Sequence, residues 1–249
     1  MKISIITVCF NSAKTLENTI ISVSNQTYSN IEYIIIDGNS SDSTVEIIKR
    51  HNNVISKWIS EPDNGLYDAM NKGIQISTGD LIGIVNSDDV FNSHTVVAEI
   101  VEFHKTNSIE ASIGNIVQQN ASGKVVRFYS SANWKPEKLK FGLMPPHPSI
   151  FFKRILFEKY GNYLLNFKIG GDYELITRFF LKNSILWEYS AITTHKMLVG
   201  GVSSSGFKSY KLITNEIENA LQLNNIRFNK IHIKMRFLLK LIGYVIKKE

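Results

Sequence analysis

The sequence has a single cysteine, Cys9. One thiol cannot form an internal disulfide, which excludes the small secreted domains that disulfides hold together. Cys9 lies between the apolar run that ends at Val8 and the aromatic Phe10, a setting typical of a small core residue. We therefore expect Cys9 to be a buried structural thiol rather than a reactive one.

Long hydrophobic runs are also missing. The chain starts with a strand-like run from Lys2 to Cys9, without the charged segment, apolar stretch and cleavage site of a leader peptide. We therefore expect a cytoplasmic protein. In the basic C-terminal segment the longest uncharged run is Leu241 to Ile246, far shorter than the roughly eighteen apolar residues that a membrane span requires.

Excess positive charge is missing from most of the chain. The formal net charge is +6, and residues 226–249 alone contain seven Lys or Arg against one acid, Glu249. The rest of the chain is therefore formally neutral. This distribution argues against a generally basic, nucleic-acid-binding body, and we expect no nucleic-acid partner.

The basic C-terminal segment predicts an amphipathic helix. From Phe228 onward one helical stripe carries Ile231, Met235, Leu238, Ile242 and Val245, with basic residues around much of the rest. Two structures fit this pattern: an interfacial helix on anionic lipid, or a helix packed on the protein body. The stripe alone does not decide between them.

The first ninety residues alternate between strand-like and helix-like patterns. Buried strands are predicted at Ile3 to Val8, Ile31 to Asp37, Ile55 to Ile59 and Leu81 to Val85. Helices are predicted at Ser12 to Asn25, at Ser43 to Arg50 with a Ser43/Glu46 capping box, and from Leu66 to a cap at Gly79. The alternation favours an α/β fold with a mostly parallel central sheet flanked by helices. In such folds ligands bind at the carboxyl ends of the strands.

The pattern changes after the helical segment Thr95 to Lys105. Ala111 to Gln118 and Lys124 to Tyr129 flank a turn-forming segment at residues 120–123 and predict a β-hairpin. Further helices are predicted at Ile155 to Tyr160, Asp172 to Lys182 and Phe207 to Leu223, the last after a flexible glycine- and serine-rich loop at residues 200–206.

Carboxylates follow three successive predicted strands: Asp37, then Asp63, then the pair Asp88-Asp89. Adjacent acids repel unless a cation or a structural donor compensates them, and oxygen ligands beside a phosphate suit Mg²⁺ or Mn²⁺. The alternative is that the pair caps a helix beginning near Ser93. Asp37 suits a ribose hydroxyl or a nucleobase N–H, although an Asp-Gly turn explains it equally well.

The turn after the first strand excludes a common nucleotide-binding class. It contains Cys9-Phe10-Asn11-Ser12 and lacks the Gly-x-Gly-x-x-Gly pattern of NAD- and FAD-binding folds. A sugar-1-phosphate nucleotidyltransferase would need a glycine-rich, basic loop here, and residues 10–15 contain no glycine and one lysine.

In their order along the chain, these motifs resemble those of inverting family 2 glycosyltransferases of the GT-A fold. The resemblance is carried by Ile5-Ile6-Thr7-Val8 with Phe10-Asn11, Ile36 to Asp42, Glu61-Pro62-Asp63, Ala69 to Gly73 with Thr78-Gly79-Asp80, and Asn86 to Asp89. It is strong over about residues 3–90 and weaker to about 205. It implies a GT-A domain at 1–225, with a nucleotide-binding half at 1–90 and an acceptor-side half containing the hairpin at 91–225, followed by the basic helix at 226–249.

The resemblance also implies roles for individual residues. The implied nucleotide-binding residues are Thr7, Phe10, Asn11, Asp37, Asp63, Lys72, Asn86 and Asp88, and the implied ligands of Mn²⁺ or Mg²⁺ are Asp89, Asp88 and His195. Asp89 is favoured as the direct metal ligand because Asn86 replaces the acid that often begins this motif. Lys72 would neutralise phosphate, or it is a solvated helix residue.

The acceptor side is implied to contain the catalytic base, Asp172, with Glu174 in reserve. Gly171 stands where the family commonly has a Glu, and the alternative for Asp172 is a helix N-cap. His147, Glu174 and Tyr173 are weaker candidates for sugar or acceptor contacts; structural roles fit the histidines and core packing fits the tyrosine.

The expected activity is the transfer of one sugar from a nucleotide-diphosphate donor, with UDP as the expected nucleotide, to a saccharide or lipid-linked acceptor. Inversion and a place in polysaccharide biosynthesis come from the resemblance alone. The Gln-x-x-Arg-Trp motif and membrane spans of processive members are missing, which favours one sugar per encounter. The basic tail suits peripheral attachment to the inner face of the plasma membrane. The alternatives are a nucleotidyltransferase and a non-catalytic carbohydrate-binding or membrane-docking module.

Overall fold

The computed structural model describes residues 1–120, 122–199 and 206–236. The chain divides into two compact units. The first contains Met1–Asn133, Pro145–Leu165 and Leu186–Val199, and the second contains Trp134–Met144, Asn166–Ile185 and Gly200–Glu249. The predicted boundaries at residues 90 and 225 are not tested by this division and stay a prediction.

The first unit begins with alternating strands and helices, as the sequence predicts. In chain order these are β1 Ile3–Cys9, α1 Leu16–Ser24, β2 Ile31–Asp37, α2 Thr44–Arg50, β3 Lys57–Ser60, α3 Leu66–Ile76, β4 Leu81–Ile84, β5 Val90–Phe91 and α4 Val96–Thr106. Every residue of β1 and β4 is buried, because helices cover a parallel sheet on both faces.

The rest of the first unit completes one sheet. It contains β6 Ala111–Gln119, β7 Val125–Tyr129, a 3₁₀ turn at His147–Ser149, β8 Ile150–Lys153, α5 Ile155–Tyr160 and β9 Trp187–Leu198. The strand order is β3-β2-β1-β4-β8-β6-β9-β5, with β7 paired to β6. The predicted parallel arrangement describes β1 to β4, whereas β8, β7 and β5 join antiparallel. The hairpin is confirmed as β6 and β7; β9, parallel to β6, was not predicted.

The capping interactions predicted at two helix ends are wrong. Helix α2 starts after Ser43 as predicted, but Ser43 makes no capping bond; Asp42 instead accepts a hydrogen bond from the Thr44 backbone N–H at 3.0 Å. Helix α3 ends at Ile76, before Gly79. Gly79 packs against β1, where an added Cβ would lie 2.5 Å from the Ser4 nitrogen. The glycine therefore permits a close backbone approach rather than a helix cap.

The second unit is helical within its described residues. It contains a 3₁₀ helix at Pro136–Phe141, α6 Gly171–Ile176, a π-helical segment at Thr177–Lys182, α7 Gly206–Leu223 and a helical segment at residues 230–236. The predicted loop at 200–205 and the tail beyond residue 236 lie outside the described residues. No helix in the described ranges is both long and apolar enough to span a bilayer.

Candidate active site

The carboxyl ends of β1, β2 and β4 lie side by side at one edge of the sheet. β1 pairs in parallel with β2 and with β4, and Cys9 at the end of β1 lies opposite Asp37 at the end of β2. The loops that follow these strands therefore meet at a single edge. This is where ligands bind in open parallel sheets.

Residues 10–15, the loop after β1, join the loops after β2 and β4. The Asn11 backbone N–H donates to Ser40 Oγ at 2.8 Å, and its side-chain oxygen accepts from the Ser41 N–H at 2.9 Å. On the other side, Ser12 Oγ lies 2.9 Å from Ser87 Oγ, in the loop after β4. Asn11 has a φ of +49°, a left-handed conformation that Asn tolerates well. These bonds make the three loops one connected surface.

Asp37 is buried and fully engaged by protein donors. Its carboxylate accepts the backbone N–H of Ser40 at 3.0 Å, the Ser40 hydroxyl, and the Ser60 hydroxyl at 2.6 Å. The contacts tie the end of β3 to the loop after β2, which favours an organising role for Asp37. Cys9 is buried as expected, and burial, with Asp37 nearby, raises the pKa of its thiol.

Asp63 and Phe10 both lie beside Gly38, at the position that a side chain on Gly38 would occupy. An added Cβ on Gly38 would be 2.5 Å from Asp63 Oδ2 and 3.4 Å from the Phe10 ring, so the glycine leaves the room that both side chains use. Asp63 Oδ1 accepts the Gly65 N–H at 2.8 Å. Phe10 is 64% exposed, unusual for a large aromatic residue beside a buried strand. The structure thus brings Phe10, Asp63 and the Asp37 loop together.

The positive charge of Lys72 is paired with an acid in the loop that carries Asp63. Its ammonium lies 2.8 Å from a Glu61 carboxylate oxygen and donates to the Pro62 carbonyl at 2.9 Å. The hydrogen bond to Glu61 raises the pKa of Lys72. Lys72 is therefore neither an isolated phosphate ligand nor a merely solvated residue: it connects α3 to the Asp63 loop.

The Asp88-Asp89 pair differs in exposure. Asp88 is exposed, whereas Asp89 is 1% exposed and accepts a hydrogen bond from the Asn86 amide at 2.9 Å. Burial and then the charge of Asp88 raise the pKa of Asp89 to about 7, although the Asn86 bond opposes this shift. The Thr19 hydroxyl donates a hydrogen bond to the Asp89 backbone carbonyl at 2.8 Å. The pair does not cap the helix that follows, since α4 begins at Val96.

These residues fit a divalent cation bound together with a ligand. None of the ion pairs between described residues includes Asp88 or Asp89, and a hard cation would relieve the repulsion between these adjacent carboxylates. Mg²⁺-type ions commonly bind through one or two carboxylates and complete their coordination with substrate phosphates and water. No group of three or more His, Cys, Asp or Glu side chains in the described residues forms a ready-made metal site.

His195 and His147 both lie in the interior of the first unit. The His195 ring lies 4.9 Å from the Phe91 ring and 6.4 Å from the Phe151 ring, and burial lowers its pKa to about 3. His147 Nε2 is 2.7 Å from the Tyr163 hydroxyl, and burial lowers the pKa of His147 to about 4. Thr7 is also buried, with its hydroxyl 3.2 Å from that of Tyr33. These positions favour structural roles.

Asp172 lies in the first turn of α6 in the second unit. Gly170 occupies the N-cap position, so the N-cap alternative for Asp172 does not hold. Glu174 forms an ion pair with Arg178 at 2.8 Å and accepts from Asn224 at 3.1 Å, and the Tyr173 hydroxyl donates to the Leu139 carbonyl. Both side chains are buried, which favours structural roles for them.

Glu216 is a residue that sequence reasoning missed. Its buried carboxylate accepts three consecutive backbone N–H groups, from Lys168 at 2.8 Å, Ile169 at 3.0 Å and Gly170 at 2.7 Å. The bonds fix the segment directly before Asp172. No local pattern indicates them, because Glu216 lies on α7, more than forty residues away in the sequence.

Solved structures share this fold. S. aureus TarS in complex with UDP-GlcNAc matches with a TM-score of 0.72 and 17% identity, over 100% of this chain and 76% of that one. The mannosyltransferase PcManGT of Pyrobaculum calidifontis, in complex with GDP-Man and Mn²⁺, matches with a TM-score of 0.66 and 15% identity, over 89% and 64%. The fold is the GT-A fold of glycosyltransferases.

Sequence comparisons agree with the fold. The uncharacterized glycosyltransferase Rv1514c of Mycobacterium tuberculosis is 35% identical over 178 residues, 71% of this chain and 68% of that protein. A PGL/p-HBAD biosynthesis glycosyltransferase of Mycobacterium bovis is 26% identical over 196 residues, 75% and 72%. The family model "Glycosyl transferase family 2" matches residues 4–170, and the chain belongs to this family. The protein is therefore a glycosyltransferase.

Proposed function

We propose that the protein transfers one sugar from a nucleotide-diphosphate donor to a saccharide or lipid-linked acceptor, with inversion at the anomeric carbon. The observation that carries this proposal is the meeting of the loops after β1, β2, β3 and β4 at one sheet edge, which holds Phe10, Asp63 and the Asp88-Asp89 pair. UDP is the proposed nucleotide, and the UDP-GlcNAc complex of TarS supports it by analogy.

The nucleoside would bind around Gly38. The exposed Phe10 ring offers a stacking face for a base, a contact worth about 1–3 kcal/mol in proteins that bind single nucleic-acid strands. Asp63 Oδ2, beside Gly38, would accept a base N–H or a ribose hydroxyl. Asp37 and Asn11 would hold the surrounding loops in place.

The diphosphate would bind near the exposed Asp88. Asp88 and Asp89 would hold Mn²⁺ or Mg²⁺, which supplies positive charge that stabilises the departing nucleoside diphosphate. The exposure of Asp88 and the burial of Asp89 favour Asp88 as the direct ligand, with Asp89 and Asn86 supporting it. PcManGT, which shares the fold, is described in complex with Mn²⁺.

Asp172 would act as the general base. It takes the proton of the acceptor hydroxyl while that oxygen forms a bond to the anomeric carbon. The bond from the anomeric carbon to the diphosphate oxygen breaks at the same time, and the nucleoside diphosphate departs with the electron pair. One displacement from the opposite face inverts the configuration, and no covalent glycosyl-enzyme forms.

The tail would attach the enzyme to an anionic membrane surface at the cytoplasmic face. In the helical segment 230–236, Ile231 is 65% exposed and Met235 is 47% exposed, whereas Ile233 is buried. The first two members of the predicted apolar stripe thus face away from the protein, which favours the interfacial alternative over packing. The basic residues around them complement anionic lipid.

A donor panel tests the function. Purified protein is incubated with UDP-, GDP- and dTDP-sugars and a saccharide acceptor, with Mn²⁺ or with a chelator, and the anomeric configuration of the product is determined by NMR. We expect a UDP-sugar to give an inverted glycoside only with metal, and Asp172→Asn to reduce transfer at least a hundredfold, within the usual range for a general base. Full activity of Asp172→Asn would remove it from the mechanism. Pyrophosphate release from UTP and a sugar 1-phosphate would favour a nucleotidyltransferase instead.

A further inference from the structure

Among the residues that the structure describes, Arg236 is a buried cation without an acidic partner. It lies at the end of the helical segment 230–236 in the second unit and is 5% exposed. In the described ranges its Nε atom has no hydrogen-bond partner, and no ion pair includes Arg236. Burial lowers the pKa of its guanidinium, while the nearby Tyr210 and Tyr173 hydroxyls raise it.

This arrangement is unfavourable for the protein alone. A buried ion needs a partner charge and hydrogen bonds to offset the loss of its hydration. The other largely buried arginine of the same unit, Arg178, has both: its guanidinium donates to Glu174 at 3.0 and 2.8 Å. Arg236 thus differs from Arg178 because no described acid pairs with its buried charge.

The surroundings of Arg236 hold it in place. Its guanidinium carbon lies 5.5 Å from the centre of the Tyr210 ring, and the Tyr210 hydroxyl donates to the Lys234 carbonyl at 2.9 Å. Gly142 leaves room for the side chain, because an added Cβ there would lie 3.3 Å from Arg236 Cδ. The guanidinium is therefore held at one place between its neighbours.

We propose that Arg236 is the centre of an anion site that binds a phosphoryl group of a substrate. The planar guanidinium presents paired donors that match phosphate oxygens, and a dianionic group would supply the missing charge. Two sources share this chemistry: the diphosphate of the nucleotide and the diphosphate of a lipid-linked acceptor. The existence of the site rests on Arg236 and its neighbours; the naming of these two sources rests on the proposed function.

Binding of inorganic pyrophosphate in the presence of a chelator tests the site, because the chelator removes metal-dependent binding elsewhere. Arg236→Met keeps most of the side-chain volume and removes the charge; Arg227→Met, at an exposed position nearby in the sequence, removes the same charge as a matched control. We expect Arg236→Met to weaken pyrophosphate binding at least tenfold, and Arg227→Met to leave it within about twofold. Equal affinities of the two variants would overturn the proposal.

Thermal unfolding without ligand separates a binding role from a structural one. An arginine that serves the fold should lower the melting temperature when replaced, whereas replacing an unpaired buried cation by an apolar side chain should leave the melting temperature unchanged or higher. A large decrease for Arg236→Met would contradict the proposal. If that variant does not fold, the Arg236 Nε–H signal in the NMR spectrum, assigned with Arg236→Lys, must shift on pyrophosphate addition; an unchanged signal rejects the site.

Two further ligands identify the source. UDP and farnesyl diphosphate are titrated into wild type and Arg236→Met under the same conditions, and the ligand whose affinity falls names the group that Arg236 binds. If the affinity falls for neither ligand, the assignment of the site to these substrates is overturned. Sugar transfer is measured separately. If the wild type transfers sugar and Arg236→Met binds pyrophosphate as tightly as the wild type does, only this inference is rejected. If Arg236→Met weakens pyrophosphate binding but the wild type transfers sugar from no donor, only the proposed function is rejected.

Discussion

At the scale of single residues, the closest fit in the candidate site is between Gly38 and Asp63. We expect Gly38→Ala to raise the donor KM about tenfold, because its Cβ would be 2.5 Å from Asp63 Oδ2 and must displace that carboxylate. A charged hydrogen bond worth about 1.5–3 kcal/mol accounts for this size. Steady-state kinetics of Gly38→Ala, Asp63→Asn and the double variant provide the test. If the two effects simply add, Gly38 does not act through Asp63.

The exposure of the acidic pair gives a second prediction at this scale. Asp88→Asn should raise the Mn²⁺ concentration needed for half-maximal transfer about ten- to hundredfold, since it removes the accessible ligand. Asp89→Asn should have a smaller effect on the metal requirement, because Asp89 is buried and bonded to Asn86. Metal titrations of both variants distinguish them. The reverse order would favour Asp89 as the direct ligand, as the sequence suggests.

At the scale of elements, Glu32 joins three strands and the loop before β4. Its buried carboxylate accepts the Ser4 hydroxyl at 2.7 Å and the Thr78 N–H at 2.7 Å, and it lies 3.0 Å from the Lys57 ammonium. Burial alone would raise the pKa of Glu32, but the hydrogen bonds from Ser4, Thr78 and Lys57 together outweigh burial and lower it.

We expect Glu32→Gln to lower the free energy of unfolding by about 1–3 kcal/mol at pH 7. Because the pKa of Glu32 is lower in the folded than in the unfolded state, its stabilising effect is complete above the unfolded value of about 4.3 and is lost as the pH falls below it. The wild type and the variant should therefore approach each other at pH 3. Urea unfolding at both pH values, with exposed Glu46→Gln as the control, measures this; a constant difference would contradict the linkage.

The contact between α3 and the Asp63 loop makes a further element-scale prediction. If Lys72 acts by holding Glu61 and Pro62, then Lys72→Met and Glu61→Gln should raise the donor KM by similar, small factors, and combining them should add little. An exposed ion pair is worth up to about 1 kcal/mol, so a two- to fivefold effect is expected. A large effect of Lys72→Met alone would restore the phosphate-binding interpretation.

At the scale of the whole molecule, local sequence patterns predicted the buried parallel strands and the hairpin, because both depend on the residues within each segment. The strands β1, β2 and β4 are mostly apolar runs that favour burial, and loops that follow neighbouring parallel strands meet at one edge. That geometry predicts that Asp37 and Asp63 lie close together, and in the structure Asp63 lies beside Gly38, the residue after Asp37. The same reasoning found the hairpin of β6 and β7.

Hydrogen bonds and strand pairings between residues far apart in the sequence could not be predicted from such patterns. Asp37 has the sequence context of a ligand-binding acid, yet Ser60, 23 residues later, uses one of its oxygens. Glu216 reaches back 46 residues to Gly170, and β9 is too polar along its length to stand out as a buried strand. In each case the partner is chosen by the tertiary fold, which a single sequence does not display.

The tail prediction involves the molecule as a whole, because it decides where the enzyme works. Removing residues 228–249 also removes the buried Ile233 and Arg236, so truncation would confuse packing with lipid binding. Ile231→Ser with Met235→Ser changes only exposed apolar groups of the same segment. Burial of a large aliphatic side chain is worth about 1.5–3 kcal/mol, so the double variant should bind anionic vesicles at least tenfold more weakly, as measured by cosedimentation.

Charge and apolar contact make separable contributions to that binding. Raising the salt concentration should weaken wild-type binding to anionic vesicles, because exposed Lys and Arg side chains are screened, and neutral vesicles should bind poorly at any salt concentration. Lys230→Gln with Lys234→Gln should imitate high salt while leaving Ile231 and Met235 in place. If both double variants cosediment as wild type does, the helix does not dock on lipid, and an acceptor must reach the enzyme by another route.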